Sequence, residues 1–399
     1  MIYNSLIAEA QALLPSAVEL RRAVHRDPEI GNLLPRTREK VLAALKGLPL
    51  ELTLHETTSG IGAVLRGAKP GPTIILRGDM DALDLHEDSG EPFASENPQT
   101  MHACGHDLHT SMLVHAAKLL SAHQADLAGQ VLFMFQPGEE GHHGAREMIS
   151  EGLLTSVDPP PTAALAIHVS TIYDSGLITT RPGPGMAAAD QVQIIVHGSG
   201  GHASSPHRAK DPVSVAAAIL TNIQVALTRQ VQATEPVVVT FGMITAGSAH
   251  NIIPSSATMT GTIRTLSEDR RDHVHKMLKE VADGISAAHG LTATVEIDRG
   301  YPVTVNNPEW TKEFLAFAAD MFGTGKVTEQ PEPVMGAEDW SYVLQQVPGA
   351  MAFLGACPPE LDSAEGPTNH SNLVRFHEDA MATGIALYAA TAIRHLNHV

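Results

Sequence analysis

Three short apolar runs constrain the fold more than any other feature of this chain. They cover residues 73–76, 130–135 and 163–167, and each gives way abruptly to carboxylate or imidazole side chains. A continuous apolar run of this length, bounded by polar and turn residues, is typical of a strand that is buried on both faces. The sequence therefore predicts an α/β fold built on a parallel sheet.

The residues that follow these runs are types that bind metals or move protons. Asp79 and Asp81 follow the first run, Glu139 and Glu140 the second, and His168 the third. Ligands of parallel α/β sheets collect just outside the carboxyl ends of the strands. We therefore expect these five side chains to converge on one edge of the sheet.

A further cluster, MHACGHDLH at residues 101–109, contains three histidines and one of the two cysteines of the chain. From residue 107 to residue 123 the apolar side chains recur at helical spacing, so Cys104 and His106 should lie at the N-terminus of a helix. The helix dipole and the free N–H groups at that end stabilise a thiolate. Cys104 and His106 are therefore interpreted as half of a metal site.

A hydrolytic metal site needs several N, O or S donors, a water molecule and a base. The donors expected here are Cys104, His106, Glu140, His168 and His370, the last in a polar loop near the C-terminus. Five donors are many for one zinc ion and suit two metal ions that share a bridging water. A thiolate and imidazoles favour zinc, with manganese, cobalt and nickel as alternatives.

The two adjacent glutamates cannot point the same way from the end of a strand. One, Glu140, can bind metal while the other, Glu139, accepts a proton from water as a general base. Taken singly, these residues have simpler interpretations: Cys104 as a buried small side chain, the glutamates as a solvated turn, and His168 as a core histidine. The joint pattern favours the metal site.

The segment from 186 to 297 follows a different pattern from the rest of the chain. Its predicted elements come in the order β-α-β-β-α-β, which is typical of a ferredoxin-like sandwich. Helical segments resume after it and continue to the C-terminus. We therefore predict a discontinuous catalytic domain, residues 1–185 and 298–399, that carries an inserted α+β domain.

Composition excludes several classes of function. With 26 basic and 44 acidic residues the formal charge is −18, which repels nucleic acid and anionic membranes. Two cysteines cannot form a disulfide framework, and this fits a reducing compartment. Residues 1–26 show the pattern of an amphipathic helix rather than a signal peptide, and the chain has no apolar run long enough to span a membrane. A cytoplasmic protein is expected.

Seven motifs follow one another along the chain: MHACGHDLH, FQPGEEG, AIHV, GSGGHASSPH, GSAHNIIPSSATMTGTIRT, GAEDWSY and TNHS. In this order they resemble those of the aminoacylase/carboxypeptidase metallopeptidase family, and in particular its hippurate hydrolase and auxin-conjugate amidohydrolase branch. The resemblance implies a zinc-peptidase-like α/β catalytic domain with an inserted dimerisation, or lid, domain. It implies two divalent metal ions per subunit, bound by the five donors named above, with Glu139 as the general base and Asp79 as a carboxylate that orients a ligand or tunes that base.

The same resemblance gives roles to the inserted domain. His202 is similar to a lid histidine that reaches the site of the neighbouring subunit and polarises the scissile carbonyl. Asn251 and Arg264, and with them His207, resemble residues that hold the free carboxylate of the substrate. A homodimer is therefore expected, with a tetramer as the alternative.

These features together predict a metal-dependent amidohydrolase that cleaves N-acyl amino acids or similar amide conjugates. Three alternatives remain: a dipeptidase or carboxypeptidase with the same site, a thiol hydrolase with Cys104 as nucleophile, and a non-catalytic binding protein, which would have no need of Glu139. The chain departs from the family pattern at Asp84, where a proline is usual, and in residues 28–35, which border the substrate pocket in relatives. The acyl preference can therefore differ.

Overall fold

The computed structural model describes residues 2–397 of the chain. Met1, which the predicted first helix included, and residues 398–399 of the predicted catalytic domain lie outside the described residues. The helices, in chain order, are α1 (Ile2–Arg26), α2 (Pro35–Leu45), α3 (His106–Ala122), α4 (Gly144–Ser150), α5 (Pro212–Gln230), α6 (Glu268–Ala288), α7 (Pro308–Phe322), α8 (Ser341–Leu344) and α9 (Ala380–Asn397).

The strands differ widely in length, and the longest form two sheets. In chain order they are β1 (Leu50–Leu54), β2 (Ile61–Arg66), β3 (Lys69–Asp79), β4 (Leu83–Asp84), β5 (Thr100–Met101), β6 (Ala128–Gln136), β7 (Pro161–Asp174), β8 (Ile178–Thr180), β9 (Gly183–Met186), β10 (Ala188–His197), β11 (Gly201–His202), β12 (Val237–Ala246), β13 (Ile252–Ile253), β14 (Ser256–Thr265), β15 (Thr292–Arg299), β16 (Thr304–Asn306), β17 (Val327–Glu329) and β18 (Gly349–Cys357).

The larger sheet has the strand order β1-β2-β6-β3-β7-β18-β8-β17. Its central strands β6, β3, β7 and β18 are parallel to one another. The β1–β2, β2–β6 and β18–β8 pairs are antiparallel. The sheet is therefore mixed and not purely parallel as expected, because antiparallel pairs flank the parallel centre on both sides.

The three apolar runs form β3, β6 and β7, which are neighbours in the sheet. β3 ends at Asp79, and β6 ends at Gln136, just before the two glutamates. The prediction that His168 follows the end of its strand is wrong, because β7 continues to Asp174. β7 extends further than β3. The pairing of β3 with β7 stops at Ala166 of β7, and beyond that residue β7 pairs with β18. His168 therefore still lies at the level where β3 ends.

Helix α3 lies between other elements on almost every side. Fourteen of its 17 residues are buried, so this helix has no solvated face. It contacts α1, α9 and β3. Gly384 on α9 allows the closest approach, because a Cβ at that position would overlap the sulfur of Met112 on α3. The start of α3 is thus held in place from several directions.

The chain divides into two compact units. The first unit comprises Met1–Gly185, Val305–Glu332 and Asp339–Val399, and the second comprises Met186–Thr304 and Pro333–Glu338. The second unit thus extends beyond the predicted boundary at 297 and includes a short segment from the C-terminal part of the chain. Ala187 N–H donates to the carbonyls of Val334 and Gly336, which explains why that segment belongs to the second unit.

The second unit is an α+β sandwich. Its four-stranded sheet has the order β12-β14-β10-β15, and the pairs in it are antiparallel. Helices α5 and α6 pack together and against this sheet. Buried residues alternate along β10 and recur at helical spacing along α5 and α6, so one face of each element is buried. This is the predicted ferredoxin-like element order. Among residues 2–397, no helix is both long and apolar enough to cross a membrane.

Candidate metal centre

The five predicted metal ligands come together in the first unit. Sγ of Cys104 lies 3.3 Å from Nε2 of His168 and 3.2 Å from Nε2 of His370. Nε2 of His370 is also 3.2 Å from Oε1 of Glu140, and Nε2 of His106 is 3.9 Å from the same oxygen. One thiol, three imidazoles and one carboxylate therefore face a common point.

The turn that presents Cys104 and His106 requires glycine between them. Gly105 has φ 86° and ψ 17°, in the left-handed region that favours glycine, and it immediately precedes α3. A Cβ at this position would overlap Cγ2 of Val169. The helix begins at His106, one residue before the predicted start. The Cys-Gly-His spacing thus turns the chain sharply and places both ligands against β7.

Backbone carbonyls determine which nitrogen of two ligand histidines is free. Nδ1 of His106 donates to the carbonyl of Asp81 at 2.9 Å, and Nδ1 of His168 donates to the carbonyl of Val169 at 2.7 Å. A ring whose Nδ1 carries the proton has its lone pair on Nε2, as a metal-binding histidine requires. Nε2 of His106 is buried and has no hydrogen-bond partner within residues 2–397. It is available to a metal ion.

The loop that carries His370 is held in a strained conformation. His370 has φ 69°, which side-chain-bearing residues rarely adopt. Its N–H donates to the carbonyl of Ala103 at 2.9 Å. The side chain of Asn369 donates to the carbonyls of Cys104 and Val169 at 3.1 and 3.0 Å. These bonds fix the loop against the turn at Cys104, and they hold the imidazole of His370 beside the thiol.

Asp81 holds the two glutamates. Its Oδ1 accepts from the N–H of Glu139 and its Oδ2 from the N–H of Glu140, both at 3.0 Å. The side chain of Glu139 is buried, and its carboxylate lies within 4.8 Å of the ligand atoms of His106 and Glu140. The structure therefore places a second carboxylate beside the metal-binding atoms without making it part of the tight cluster.

Asp79 contacts an arginine and a histidine beside the cluster. Its Oδ2 pairs with Arg77 at 2.6 Å, and its Oδ1 accepts from Nδ1 of His109 at 2.6 Å. Nε2 of His109 accepts from the N–H of Val169 at 2.7 Å, so both nitrogens of this histidine are occupied. Burial alone would raise the pKa of Asp79, but the charges of Arg77, His106 and His109 lower it well below its usual value. Asp79 is thus an anion that orients the histidines behind the site.

The charges of the cluster oppose one another. Burial, together with the charge of Glu140, raises the pKa of the Cys104 thiol. Hydrogen bonds to Cys104 and Glu140 raise the pKa of His370 to about 10. A divalent cation among these donors would favour the thiolate form of Cys104 and compete with the proton on His370.

The donor atoms fit metal ions. Within residues 2–397, five groups of side chains have donor atoms within 4.8 Å of one another, and three of them contain at least two of the predicted ligands. These three are Cys104, His106 and His168; Cys104, Glu140 and His370; and His106, Glu139 and Glu140. A mixed sulfur, nitrogen and oxygen set of this kind suits zinc and related divalent ions. Five donor atoms exceed the four of a tetrahedral zinc site, so the set would suit two divalent ions better than one.

Sequence reasoning gave too little weight to three residues around the centre. Asp81 received no definite role, and Asn369 and Asp339 received none. Oδ2 of Asp339 accepts from the N–H of Ala145 at 2.9 Å, and Oδ1 accepts from the side chain of Gln136 at 2.6 Å, which ties the loop after β6 to the sheet. The available signal was their position: Asn369 lies in the TNHS motif, Asp339 lies in GAEDWSY, and Asp81 follows the first apolar run.

The four predicted lid residues lie in the second unit. His202 is on β11, and its Nδ1 accepts from the N–H of Ser204 at 3.1 Å. His207 is exposed in a short 3₁₀ turn, and the carbonyl of Asn251 accepts from the N–H of Ala203 at 3.1 Å. Arg264 is half-buried on β14, and burial lowers its pKa. Arg264 is therefore not a simple surface arginine.

Comparison with known proteins gives the family. The model of peptidase family M20/M25/M40 matches residues 75–394. The chain is 37% identical to thermostable carboxypeptidase 2 of Saccharolobus solfataricus over 95% of both chains. It is 34% identical to IAA-amino acid hydrolase ILR1-like 2 of Arabidopsis thaliana, over 95% of this chain and 85% of the relative.

A solved structure supports the same assignment. The YXEP protein of Bacillus subtilis, described as a dinuclear metal-binding peptidase of the M20 family, superposes with a TM-score of 0.84. The two chains are 28% identical, and the match covers 97% of this chain and 99% of the other. The predicted fold class and the predicted enzyme class, a hydrolase of amide bonds, are both confirmed. This chain belongs to peptidase family M20/M25/M40.

Proposed function

We propose that this protein is a dinuclear metal-dependent amidohydrolase that cleaves N-acyl amino acids or similar amide conjugates. The observation that carries the proposal is the convergence of Cys104, His106, Glu140, His168 and His370 beside the carboxylate of Glu139. The similarity of the chain to an IAA-amino acid hydrolase and to a dinuclear metal-binding peptidase supports the proposal.

The five donors would hold two divalent ions, with zinc favoured by the thiolate and the imidazoles. Such ions polarise the carbonyl of a scissile amide and bring the pKa of water towards neutrality. The protein supplies fixed donors: two histidines have their tautomers set by backbone carbonyls, and Glu140 is held through its own N–H by Asp81.

Glu139 is the proposed general base. Its carboxylate accepts a proton from the attacking water and then delivers that proton to the nitrogen of the leaving amine. Asp81 holds the backbone of Glu139, which keeps the carboxylate close to the donor cluster. Asp79 acts through His109 and His106 and contacts no reacting atom in this scheme.

The second unit is proposed to complete the site. His202 would polarise the scissile carbonyl, while Asn251, Arg264 and His207 would hold the free carboxylate of the substrate. Because the resemblance places the lid histidine in the site of a neighbouring subunit, we propose a homodimer. Light scattering combined with activity measurements tests this: a fully active monomer would contradict the cross-subunit role. A cytoplasmic location remains a prediction.

A carboxypeptidase is the second candidate. It is favoured by the 37% identity to thermostable carboxypeptidase 2, which exceeds the identity to the IAA-amino acid hydrolase relative. The two functions share the metal centre and differ in the acyl group. A panel of N-acetyl, N-benzoyl and N-indoleacetyl amino acids, measured beside dipeptides and N-blocked peptides, separates them by kcat/KM. A preference for peptides of at least tenfold would reject the amidohydrolase proposal.

Metal dependence is tested by chelation and reconstitution. Removal of metal should abolish hydrolysis, and zinc, manganese, cobalt or nickel should restore it to different extents. Activity that survives complete chelation and is lost on thiol alkylation would instead support a thiol hydrolase based on Cys104.

The base is tested by Glu139→Gln, which keeps the size of the side chain and removes the proton acceptor. We expect kcat to fall by about 10³-fold or more, while the metal content stays unchanged. Glu19→Gln, at an exposed position on α1, is the matched control and should retain full activity. Retention of kcat in Glu139→Gln would reject the base assignment.

A further inference from the structure

A cavity of about 160 Å³ lies between α7 and α9 in the first unit, lined by residues that take no part in the proposed reaction. It is large enough for a small ring, since an apolar cavity of about 150 Å³ is known to bind benzene. Its lining residues are Trp310, Glu313, Phe314, Phe317, Thr391, Arg394 and His395.

The walls of the cavity are aromatic. The rings of Trp310 and Phe314 are stacked, with centroids 5.4 Å apart and an angle of 10° between their planes. The ring of Tyr3 packs edge-on against the ring of Phe317, with the ring centroids 4.9 Å apart. Phe314 and Phe317 are almost completely buried. The walls are therefore preformed, and a planar or branched apolar group can enter without rearrangement of the side chains.

One cation faces this aromatic wall without a carboxylate partner. The guanidinium carbon of Arg394 lies 4.8 Å from the centroid of Phe317. No carboxylate in the described part of the chain forms an ion pair with it, including Glu313, which lines the same cavity but is exposed. The five N–H donors of Arg394 are suited to a carboxylate.

Two further polar groups line the cavity. The hydroxyl of Thr391 is buried and has no hydrogen-bond partner within residues 2–397. Nε2 of His395 lies 2.9 Å from the hydroxyl of Thr162, and burial lowers the pKa of this imidazole. His395 is therefore neutral at pH 7, and Arg394 supplies the positive charge of the cavity.

We propose that this cavity binds a small monocarboxylate with an apolar body, such as an aromatic or branched aliphatic acid. The carboxylate would pair with Arg394 and accept from the hydroxyl of Thr391, while the apolar body lies against Trp310 and Phe314. This site is independent of the metal centre, and the inference does not depend on the proposed function.

An occupant of the cavity would contact the helix that supports the metal centre. Thr391, Arg394 and His395 belong to α9, as does Tyr388 one turn earlier. The hydroxyl of Tyr388 accepts from the N–H of Ile167 at 2.9 Å and donates to the carbonyl of Arg77 at 2.6 Å. Ile167 immediately precedes His168, and Arg77 lies two residues before Asp79. The cavity and the centre thus share one rigid element.

The chain provides its own probe for the test. It has two tryptophans, of which Trp310 lines the cavity and Trp340 is completely buried elsewhere. Titration of the holoenzyme with benzoate should change the fluorescence of Trp310, with a Kd on the order of 1 mM for a ligand of about nine heavy atoms. The change should disappear in Trp310→Phe. A change that persists in that variant would come from Trp340 and would overturn the proposal.

Two variants test the recognition of charge. Arg394→Gln should weaken benzoate binding about tenfold, because it removes a charge-assisted hydrogen bond. Glu313→Gln is the matched control on the opposite wall and should bind benzoate as well as the wild type or better. Benzyl alcohol, which is neutral and of similar shape, should bind at least tenfold more weakly than benzoate. Equal binding of the two probes, or an unchanged Kd in Arg394→Gln with an unchanged melting temperature, would overturn the proposal.

Discussion

Asp81 holds both glutamates of the metal centre through their backbone amides, so its replacement tests how the centre is held together. Its two carboxylate oxygens accept from Glu139 and Glu140 at 3.0 Å each, and the side chain is almost completely buried. Asp81→Asn keeps one acceptor oxygen and places an NH₂ donor against the other amide N–H. One charge-assisted hydrogen bond is lost, which costs about 2 kcal/mol.

That cost corresponds to about 30-fold in an equilibrium constant. We expect Asp81→Asn to lower metal affinity and kcat/KM by roughly 10- to 100-fold, the range typical for residues that orient metal ligands. The bond from His106 survives, because it goes to the backbone carbonyl of Asp81. Metal affinity can be measured by competition with a chromophoric chelator. Asp84→Asn, exposed three residues further on, is the control. If Asp81→Asn stays within threefold of wild type in both quantities, the positioning role is wrong.

Three further predictions follow from single residues. His109→Ala should lower kcat/KM at least tenfold, because both ring nitrogens of His109 form bonds behind the ligands; unchanged kinetics would contradict this. Gly105→Ala should lower the melting temperature by a few degrees, since it adds a Cβ at positive φ against a valine side chain; equal melting temperatures would refute it. Burial alone would raise the pKa of Asp190, but His275 and Arg271 lower it to about 2. Its stabilising effect is therefore complete above pH 4 and lost as the pH falls towards 2. The stability difference between wild type and Asp190→Asn, measured by urea unfolding, should shrink over that range and not grow.

The fold was predictable from the sequence where local pattern and burial agree. The three apolar runs became neighbouring parallel strands because a run without polar alternation can be satisfied only between two covering layers. The inserted sandwich was predictable from its order of elements. The flanking antiparallel strands and the exact return point of the insert were not, because both depend on contacts between distant segments. The carbonyls of Val334 and Gly336 that draw 333–338 into the second unit give no local signal.

The positions of the candidate site residues were predictable to a similar degree. Asp79 is the last residue of β3, Glu139 and Glu140 follow the end of β6, and chain topology alone brings strand ends together. His168 reaches the same level by a different route, as a residue within a strand that outruns its neighbour. His370 comes from a loop whose positive φ and anchoring by Asn369 are invisible to pattern analysis. His370 was predicted to join the cluster because the family motif TNHS and the polar loop around it suggested this. The hydrophobic periodicity of the sequence gave no such signal.

The histidines of residues 101–109 show why composition overestimates the number of metal ligands. His102, His106 and His109 are all buried within one short stretch. Nε2 of His109 accepts from a backbone N–H and its Nδ1 donates to Asp79, so it has no lone pair left for a metal ion. Burial lowers the pKa of His102 to about 3, so that imidazole is neutral, and no carbonyl in the described residues fixes its proton on one ring nitrogen. Only His106 has its proton held on Nδ1 by a carbonyl and its Nε2 directed at the other donors. Because the hydrogen bond on one nitrogen decides the availability of the other, the number of ligands is set by the surrounding backbone and not by the number of histidines.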